Sequence, residues 1–271
     1  MDSRWSLALG ALFLGVLQGL TEFLPVSSSG HLVLFQQFFH VAGDHILFDL
    51  VLHVGTLVPV LWFYRDSFRT LITDPFVGEG AFLQRPGVRL LALLVLASIP
   101  TAAIGLAFED TFELLFATPA ALVVSFGFTG TILYASGKFG QGTTTIDQLS
   151  WKTALILGVA QGVAITPGVS RSGTTIAVAL MLGVEREAAA RMSFLMSVPA
   201  ITGAVLLKLR DVETAGLDPL QLGVGGLAAL ISGYAALIFL VKIVRKGQFS
   251  RFAWYVWGAA IVAGIVAFMK S

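Results

Sequence analysis

Six apolar stretches of membrane-spanning length restrict what this chain can fold into. A helix that crosses a bilayer needs about 20 mainly apolar residues. Such stretches lie at residues 46–63, 90–108, 119–136, 193–207, 220–241 and 252–269. The composition agrees, since only 12% of the 271 residues are charged, against about 25% in soluble domains. We therefore predict an all-α polytopic membrane protein with six transmembrane helices.

Two further apolar regions are interrupted. The first runs from residues 5–24 to residues 30–41 and the second from residues 153–165 to residues 174–183, and a proline with a serine cluster breaks each. We expect every half-segment to be too short to cross. Irregular backbone at membrane depth is tolerated only where protein or a watery cavity covers it. Both regions are therefore predicted to be re-entrant helical hairpins.

The two broken regions resemble each other at a constant offset of 143 residues. Residues 14–19 (LGVLQG) match residues 157–162 (LGVAQG), and residues 26–30 (VSSSG) match residues 169–173 (VSRSG). Chance similarity between two breaks rich in glycine and serine is the alternative. An internal duplication accounts better for the constant register.

The charged residues predict how the two copies are oriented. Basic residues follow the first, third and fifth spans, whereas acidic residues follow the second and fourth. The positive-inside rule places the basic segments in the cytoplasm. Three spans separate the hairpins, so the second hairpin enters from the opposite face. We predict one membrane domain, residues 1–271, with inverted-topology repeats at about 1–138 and about 150–271 whose hairpins meet near the midplane.

Glu22 is the first candidate functional residue, because an ionisable group in an apolar helix is costly and marks a functional site by default. Gln18 lies one helical turn earlier on the same face. Glu22 is a candidate metal ligand or general base, and Gln18 could add an oxygen ligand or a hydrogen bond. The alternative is that Glu22 only caps or bridges the hairpin backbone.

The first tip, residues 25–31 (PVSSSGH), places serines where the second half-helix begins. In a soluble protein such serines are ordinary N-caps. Near the midplane, the free N–H groups and positive dipole end of this helix would attract an anion. Ser27 and Ser28 add hydroxyl groups, and His31 is expected to face the same point. For His31 the alternative is a satisfied core histidine.

The second tip, residues 167–175 (PGVSRSGTT), contains Arg171. A buried guanidinium needs an anionic partner, and its planar fork matches phosphate or carboxylate oxygens. The residues that add hydroxyls beside this second helix start are Ser170, Ser172 and Thr175. We predict a phosphate clamp, and the alternative is that Arg171 pairs with Glu22 alone and only joins the repeats.

The remaining features narrow the function less. Asp49 and His53 share a helix face at i, i+4, and they either shape the pocket or form a polar pair at a helix end. The net charge of +1 argues against a nucleic-acid partner. With no cysteine, disulfides, thiolate catalysis and cysteine-bound metals are excluded. The sequence is silent on the oligomeric state, and a homodimer stays open.

These residues resemble the signature of a known family. Gln18-x-x-x-Glu22, the string at residues 25–31 and the PGxSRSxxT string at residues 167–175 are similar to the motifs of bacterial undecaprenyl pyrophosphate phosphatases of the BacA/UppP type. The likeness extends over essentially the whole chain, including its length, hairpin placement and loop order. The PGxSRSxxT string is specific, whereas QxxxE alone is weak.

The resemblance implies a bacitracin-resistance enzyme of the bacterial inner membrane, with an active site that opens to the periplasm. Its implied substrate is a polyprenyl pyrophosphate lipid, undecaprenyl pyrophosphate, which it would dephosphorylate to the lipid carrier of cell-wall precursors. It also implies a divalent cation, Mg²⁺ or Ca²⁺. Gln18 occupies a position that is Glu or Gln in the family, so this element supplies one carboxylate and should bind metal less tightly.

Site roles follow from the residues together with the resemblance. We expect the catalytic residues to be Glu22, Ser27, Ser28, His31 and Arg171. We expect the phosphate-binding residues to be Ser170, Arg171, Ser172 and Thr175, and the metal ligands to be Glu22 and Gln18. Ser28 is the favoured nucleophile, ahead of Ser27 and His31.

Two other classes of protein share the expected architecture. A secondary transporter or lipid flippase is the main alternative, since inverted repeats with broken helices are typical of transporters. Such a protein would bind the anion but would not need a nucleophile beside a base. A purely structural membrane protein would tolerate substitutions at both Glu22 and Arg171.

Overall fold

The computed structural model describes residues 3–36, 45–77, 81–116, 118, 120–139, 142–210 and 218–270. Within them the chain is helical, and the other regular structure consists of three short 3₁₀ turns and one bridge between Thr144 and Val184. The twelve α-helices are α1 (Ser3–Phe23), α2 (Ser28–Phe35), α3 (His45–Phe63), α4 (Arg65–Val77), α5 (Pro86–Ala107), α6 (Glu109–Phe116), α7 (Ala121–Ser136), α8 (Trp151–Val163), α9 (Arg171–Met181), α10 (Arg186–Lys208), α11 (Pro219–Arg245) and α12 (Phe252–Lys270). The all-α prediction is confirmed.

Six helical segments of the described chain are long and apolar enough to cross a membrane. They are Trp5–Phe23, Ile46–Phe63, Pro86–Ala107, Arg186–Lys208, Pro219–Arg245 and Phe249–Met269. Five coincide with predicted spans, which confirms a multi-pass membrane protein. The predicted span at residues 119–136 forms α7, which has 16 residues and is about 24 Å long. Position 119 lies outside the described residues.

The first broken region differs from its prediction in one arm. α1 has 21 residues, about 31 Å at the α-helical rise, and no proline occurs before Pro25 to end it sooner. The expectation that every half-segment is too short to cross is therefore wrong for α1. The helices α2, α8 and α9 have 8, 13 and 11 residues and are short. Residues 37–41 of the predicted second arm lie outside the described part of the chain.

Local sequence explains both breaks. Pro25 ends α1 because proline lacks the N–H that the helix would need, and Ser27 Oγ then caps α2 by accepting a first-turn amide at 3.3 Å. In the second break Gly168 has φ +84°, a conformation that costs glycine little. Ser170 Oγ caps α9 by accepting the amide of Gly173 at 3.0 Å. Each break therefore ends in the capped start of a helix.

The broken regions each pack against a long helix from the other half of the chain. α1 lies along α11, and α8 lies along α5. A Cβ atom on Gly15 would overlap the backbone carbonyl of Gly225, and one on Gly158 would overlap that of Ala97. Small residues allow such close helix contact in membranes. The two glycines occupy matching positions at the 143-residue offset, so both copies use the same packing device.

Polar and apolar side chains are arranged as expected for a protein in lipid. Large apolar side chains such as Val124, Ile231 and Trp254 are exposed on the outer surface. The buried polar residues include Gln18, Glu22, Ser27, His31, Thr129, Gln161, Ser170, Ser172, Thr175 and Ser193. Because lipid cannot satisfy polar groups, the chain gathers them in its interior.

The segments predicted to share a membrane side contact each other. Arg89 donates to the carbonyl of Leu149 at 2.5 Å and connects the starts of α5 and α8. Lys208 pairs with Glu113 and connects the end of α10 to α6. The basic segments therefore contact one another, and so do the acidic ones.

Candidate active site

The tips of the two breaks are in direct contact. A Cβ atom on Gly30 would lie 2.9 Å from the Cα atom of Gly168, so neither position has room for a side chain. Ser172 Oγ donates to the carbonyl of Leu24 at 3.4 Å. These contacts bring the predicted site residues of both halves into one region.

A buried ion pair joins the tips. Arg171 Nη2 lies 2.6 Å from Glu22 Oε1, and the two side chains are 14% and 6% exposed. Arg171 Nη1 is buried and makes no hydrogen bond to any described residue. Buried donors without a partner are rare in folded proteins. The guanidinium therefore binds Glu22 with one nitrogen and has another available for an anion.

Three more side chains lie close to the second carboxylate oxygen of Glu22, Oε2. Ser28 Oγ donates to Oε2 at 2.6 Å, Gln18 Nε2 donates to it at 3.0 Å, and His53 Nε2 lies 3.9 Å away. A hydroxyl bound to a carboxylate at this distance is a short, charge-assisted hydrogen bond. Glu22 is thus positioned to accept the proton of Ser28, and it connects α1 with α2, α3 and α9.

Ser27 has a strained backbone. Its φ of +69° makes it the single non-glycine residue with positive φ in the described chain, and it is buried. Such conformations cost of order 1–3 kcal/mol and cluster at functional sites. Its hydroxyl caps α2 and lies 3.3 Å from Ser29 Oγ, so it already has partners within the tip.

His31 does not face the point that the sequence suggested. Its Nδ1 lies 2.8 Å from the carbonyl oxygen of Ser27, and its Nε2 lies 2.9 Å from the hydroxyl of Tyr255 on α12. Neither nitrogen contacts Glu22 or Ser28 among the described hydrogen bonds. The local sequence could not indicate this orientation, because the partner hydroxyl is 224 residues away.

The hydroxyls of the second tip bind mainly protein atoms. Ser170 Oγ caps α9 and lies 3.4 Å from Ser172 Oγ. Thr175 Oγ1 donates to the carbonyl of Arg171 at 2.8 Å and lies 2.6 Å from Ser193 Oγ. These contacts order the backbone that carries Arg171.

Some residues at the site gave little or no sequence signal. Thr129 Oγ1 accepts the amide of Ser170 at 3.1 Å, and Ser193 Oγ lies 2.6 Å from Thr175 Oγ1, yet each is one of several hydroxyl residues in its helix and nothing in the local sequence singles it out. Tyr255 also has no motif around it in the sequence that marks it as a site residue. His53 did have a signal, as an ionisable residue in a spanning helix, and the structure places it beside Glu22.

The site offers a short set of cation ligands. Among the described residues there is no group of three or more His, Cys, Asp or Glu side chains arranged for a metal ion. Gln18 Oε1 is buried, makes no hydrogen bond to the described chain and lies on the amide that contacts Glu22. Mg²⁺ is commonly held by one or two carboxylates together with substrate phosphate oxygens. Glu22 and Gln18 would therefore need further oxygen ligands from a bound molecule in order to hold a cation.

Comparison with known proteins assigns a family to this arrangement. The family described as bacitracin resistance protein BacA matches residues 11–262. The chain belongs to the BacA family. Relatives of this BacA chain that are named undecaprenyl-diphosphatase occur in Carboxydothermus hydrogenoformans (44% identical, covering 91% of this chain and 92% of the relative), Halothermothrix orenii (43%, 94% and 96%) and Methanobrevibacter smithii (40%, 96% and 96%). The family resemblance seen in the motifs is confirmed, and every site residue of this BacA protein lies within the matched region.

Proposed function

We propose that this BacA-family protein is an undecaprenyl-diphosphatase, which hydrolyses undecaprenyl pyrophosphate to undecaprenyl phosphate and inorganic phosphate. The name shared by its relatives supports the reaction. One set of contacts supports the chemistry. Ser28 donates to Glu22, and Glu22 pairs with Arg171 Nη2, while Arg171 Nη1 has no hydrogen-bond partner among the described residues. A nucleophile, a base and an anion-binding cation thus surround one carboxylate. Recycling of the cell-wall lipid carrier by this reaction would confer bacitracin resistance.

The pyrophosphate binds between the two tips in this proposal. Arg171 Nη1 donates to a phosphate oxygen, and the starts of α2 and α9 present positive dipole ends. The hydroxyls of Ser170, Ser172 and Thr175 border the same tip. These donors stabilise the negative charge on the phosphoryl group during transfer.

Ser28 is the proposed nucleophile. Its Oγ forms a bond to the terminal phosphorus, Glu22 takes its proton, and undecaprenyl phosphate leaves with the electron pair of the broken P–O bond. Water then attacks the phosphoserine, the Ser28 oxygen recovers the proton from Glu22, and dihydrogen phosphate leaves. Ser27 and His31 are less suited, because the Ser27 hydroxyl caps α2 and both ring nitrogens of His31 have protein partners.

Glu22 and Gln18 would hold the proposed divalent cation, Mg²⁺ or Ca²⁺, together with substrate oxygens. When bound, the cation would supply positive charge that offsets the charge of the pyrophosphate. The orphaned Gln18 Oε1 is the observation that supports this role.

We also propose the predicted placement in the membrane: inverted repeats at about 1–138 and about 150–271, tips near the midplane, and a site that opens to the periplasm of the bacterial inner membrane. The exchanged helix pairs α1–α11 and α5–α8 support this placement. So does the constant 143-residue offset between the copies. The long polyprenyl chain would then lie in the lipid while its head group enters between the tips.

Phosphate release tests the proposed reaction against the transporter alternative. Purified wild-type protein in detergent, supplied with undecaprenyl pyrophosphate and Mg²⁺ or Ca²⁺, should release inorganic phosphate, and Glu22→Gln should not. Translocation of the lipid by reconstituted protein without any phosphate release would contradict the hydrolase and favour a flippase.

A further inference from the structure

A tyrosine from the last helix reaches the buried histidine of the first tip. The hydroxyl of Tyr255 lies 2.9 Å from His31 Nε2, and the two rings are almost parallel, with an interplanar angle of 10°. His31 is buried, while about half of Tyr255 is exposed. We propose that Tyr255 is a positioning residue, which holds the imidazole of His31, and through it the Ser27 peptide, in the geometry that phosphoryl transfer needs. This inference rests on the proposed phosphatase function.

The partners of the two ring nitrogens of His31 determine which nitrogen carries the hydrogen. A carbonyl oxygen can only accept, so Nδ1 of His31 must carry the hydrogen in its 2.8 Å contact with Ser27. In the neutral ring Nε2 is then an acceptor, and the hydroxyl of Tyr255 donates to it. Tyr255 thereby occupies the lone pair of His31 and fixes the plane of its ring.

His31 in turn restrains the backbone of Ser27 in the first tip. The Ser27 carbonyl accepts both the side chain of His31 at 2.8 Å and its backbone amide at 3.3 Å. This carbonyl belongs to the residue with φ +69° and is joined by one peptide bond to Ser28. A strained conformation persists only where its surroundings hold it. Tyr255 thus helps to fix the peptide from which the Ser28 hydroxyl reaches Glu22.

Tyr255 belongs to a helix that packs closely against α7. α12 packs against α7 through Tyr134, Trp254 and Trp257, whose ring centroids lie 5.2–6.5 Å apart. A Cβ atom on Gly130 would overlap the ring of Trp257, so α7 and α12 are in close contact there. A second ring, Phe126 of α7, packs edge-on against His31 at 5.5 Å. The aromatic layer between α7 and α12 therefore supports His31 from outside both tips.

Tyr255→Phe removes the hydroxyl and keeps the ring, and Tyr134→Phe is the matched control. The Tyr134 ring lies in the same layer, and its hydroxyl has no hydrogen bond among those described. We expect Tyr255→Phe to lower kcat for phosphate release from undecaprenyl pyrophosphate about fivefold, the effect of one neutral hydrogen bond, with KM changed less than twofold. Tyr134→Phe should leave both values within twofold. A kcat for Tyr255→Phe within twofold of wild type would overturn the proposal.

Nitrogen NMR of the four histidines gives a readout that does not need activity. The His31 signals are identified by their loss in His31→Gln. We expect a protonated Nδ1 and an unprotonated, hydrogen-bonded Nε2 in wild type, with the Nε2 signal displaced in Tyr255→Phe and unchanged in Tyr134→Phe. An undisplaced Nε2 signal would overturn the positioning role. If wild-type protein released no phosphate, the proposed function would fail, and the NMR result alone would report whether Tyr255 holds His31.

Discussion

Glu22 and Arg171 form a buried ion pair at 2.6 Å between residues 149 positions apart in the chain. Each charge lies where water is largely excluded, so each depends on the other for compensation. The pair joins α1 to α9, and the free Nη1 of Arg171 faces no described partner. Arg171 therefore does pair with Glu22 across the two halves of the chain, and the phosphate clamp stays a prediction, which the unpartnered Nη1 supports.

Arg171→Ala tests both roles. The substitution leaves the Glu22 carboxylate buried without its partner, which should lower the free energy of unfolding by about 3–5 kcal/mol and reduce phosphate release more than 100-fold. The double variant Arg171→Ala with Glu22→Gln should be more stable than Arg171→Ala alone, because it has no unpaired buried carboxylate, but it should remain inactive. Thermal unfolding in detergent and a phosphate assay measure these effects. Arg251→Ala, at an exposed position, is the control, and wild-type stability in Arg171→Ala would refute the ion-pair argument.

Ser28→Ala separates the proposed nucleophile from its neighbours. Loss of the Oγ atom that donates to Glu22 at 2.6 Å should lower kcat more than 100-fold with little change in stability. Ser29→Ala removes a hydroxyl whose described contact is Ser27 Oγ at 3.3 Å, and kcat should stay within a few fold. Trapping a phosphorylated enzyme by rapid acid quench, followed by peptide mapping, would place the phosphoryl group on Ser28. A fully active Ser28→Ala protein would exclude Ser28 as the nucleophile.

The sequence predicts those parts of the fold and site that depend on local or repeated patterns. Apolar length located five of the long helices, and the paired breaks located Glu22, Ser28 and Arg171. It could not predict the orientation of His31, because a side-chain rotamer depends on partners such as Tyr255 that are distant in sequence. The length of α1 was misjudged although no proline occurs before Pro25, so the chain from Ser3 to Phe23 forms one helix of 21 residues.

Replacing glycine by alanine should have different effects on stability at Gly158 and at Gly203. On Gly158 a new Cβ would lie 2.6 Å from Pro100 Cγ and overlap the Ala97 carbonyl, whereas on Gly203 it would meet nothing within 4 Å. Gly158→Ala should therefore separate α8 from α5 and lower the unfolding temperature. Gly203→Ala should be neutral or stabilise α10 by up to about 1 kcal/mol, since alanine favours helices. Equal unfolding temperatures for the two variants would contradict the close α5–α8 packing.

The absence of cysteine from the sequence allows a direct test of the proposed sidedness. Asp110→Cys and Arg251→Cys each introduce a single thiol at an exposed position, on α6 and in the 3₁₀ turn before α12. A membrane-impermeant maleimide should label the first in intact spheroplasts and the second only after permeabilisation, because the acidic segments are placed outside and the basic ones inside. Labelling of both from one side would contradict the proposed topology.

Gln18→Glu addresses the proposed cation. It would place a second carboxylate beside Glu22, where Gln18 Nε2 now donates at 3.0 Å. Two adjacent carboxylates repel each other without a cation and bind one more tightly when it is present. We expect the concentration of Mg²⁺ or Ca²⁺ for half-maximal phosphate release to fall about tenfold, and a chelator to lower the stability of the variant more than that of wild type.

Gln161 provides the matched control, since it stands 143 positions after Gln18 in the second copy. Its Nε2 lies 3.3 Å from Thr101 Oγ1 and has no carboxylate among its described partners. Gln161→Glu creates the same new charge away from Glu22, so it should not lower the cation requirement. An unchanged requirement in Gln18→Glu, with activity retained, would show that these two residues do not hold the cation. A fall in the requirement limited to Gln18→Glu would place the cation at the Glu22 carboxylate, where the proton of Ser28 is also received.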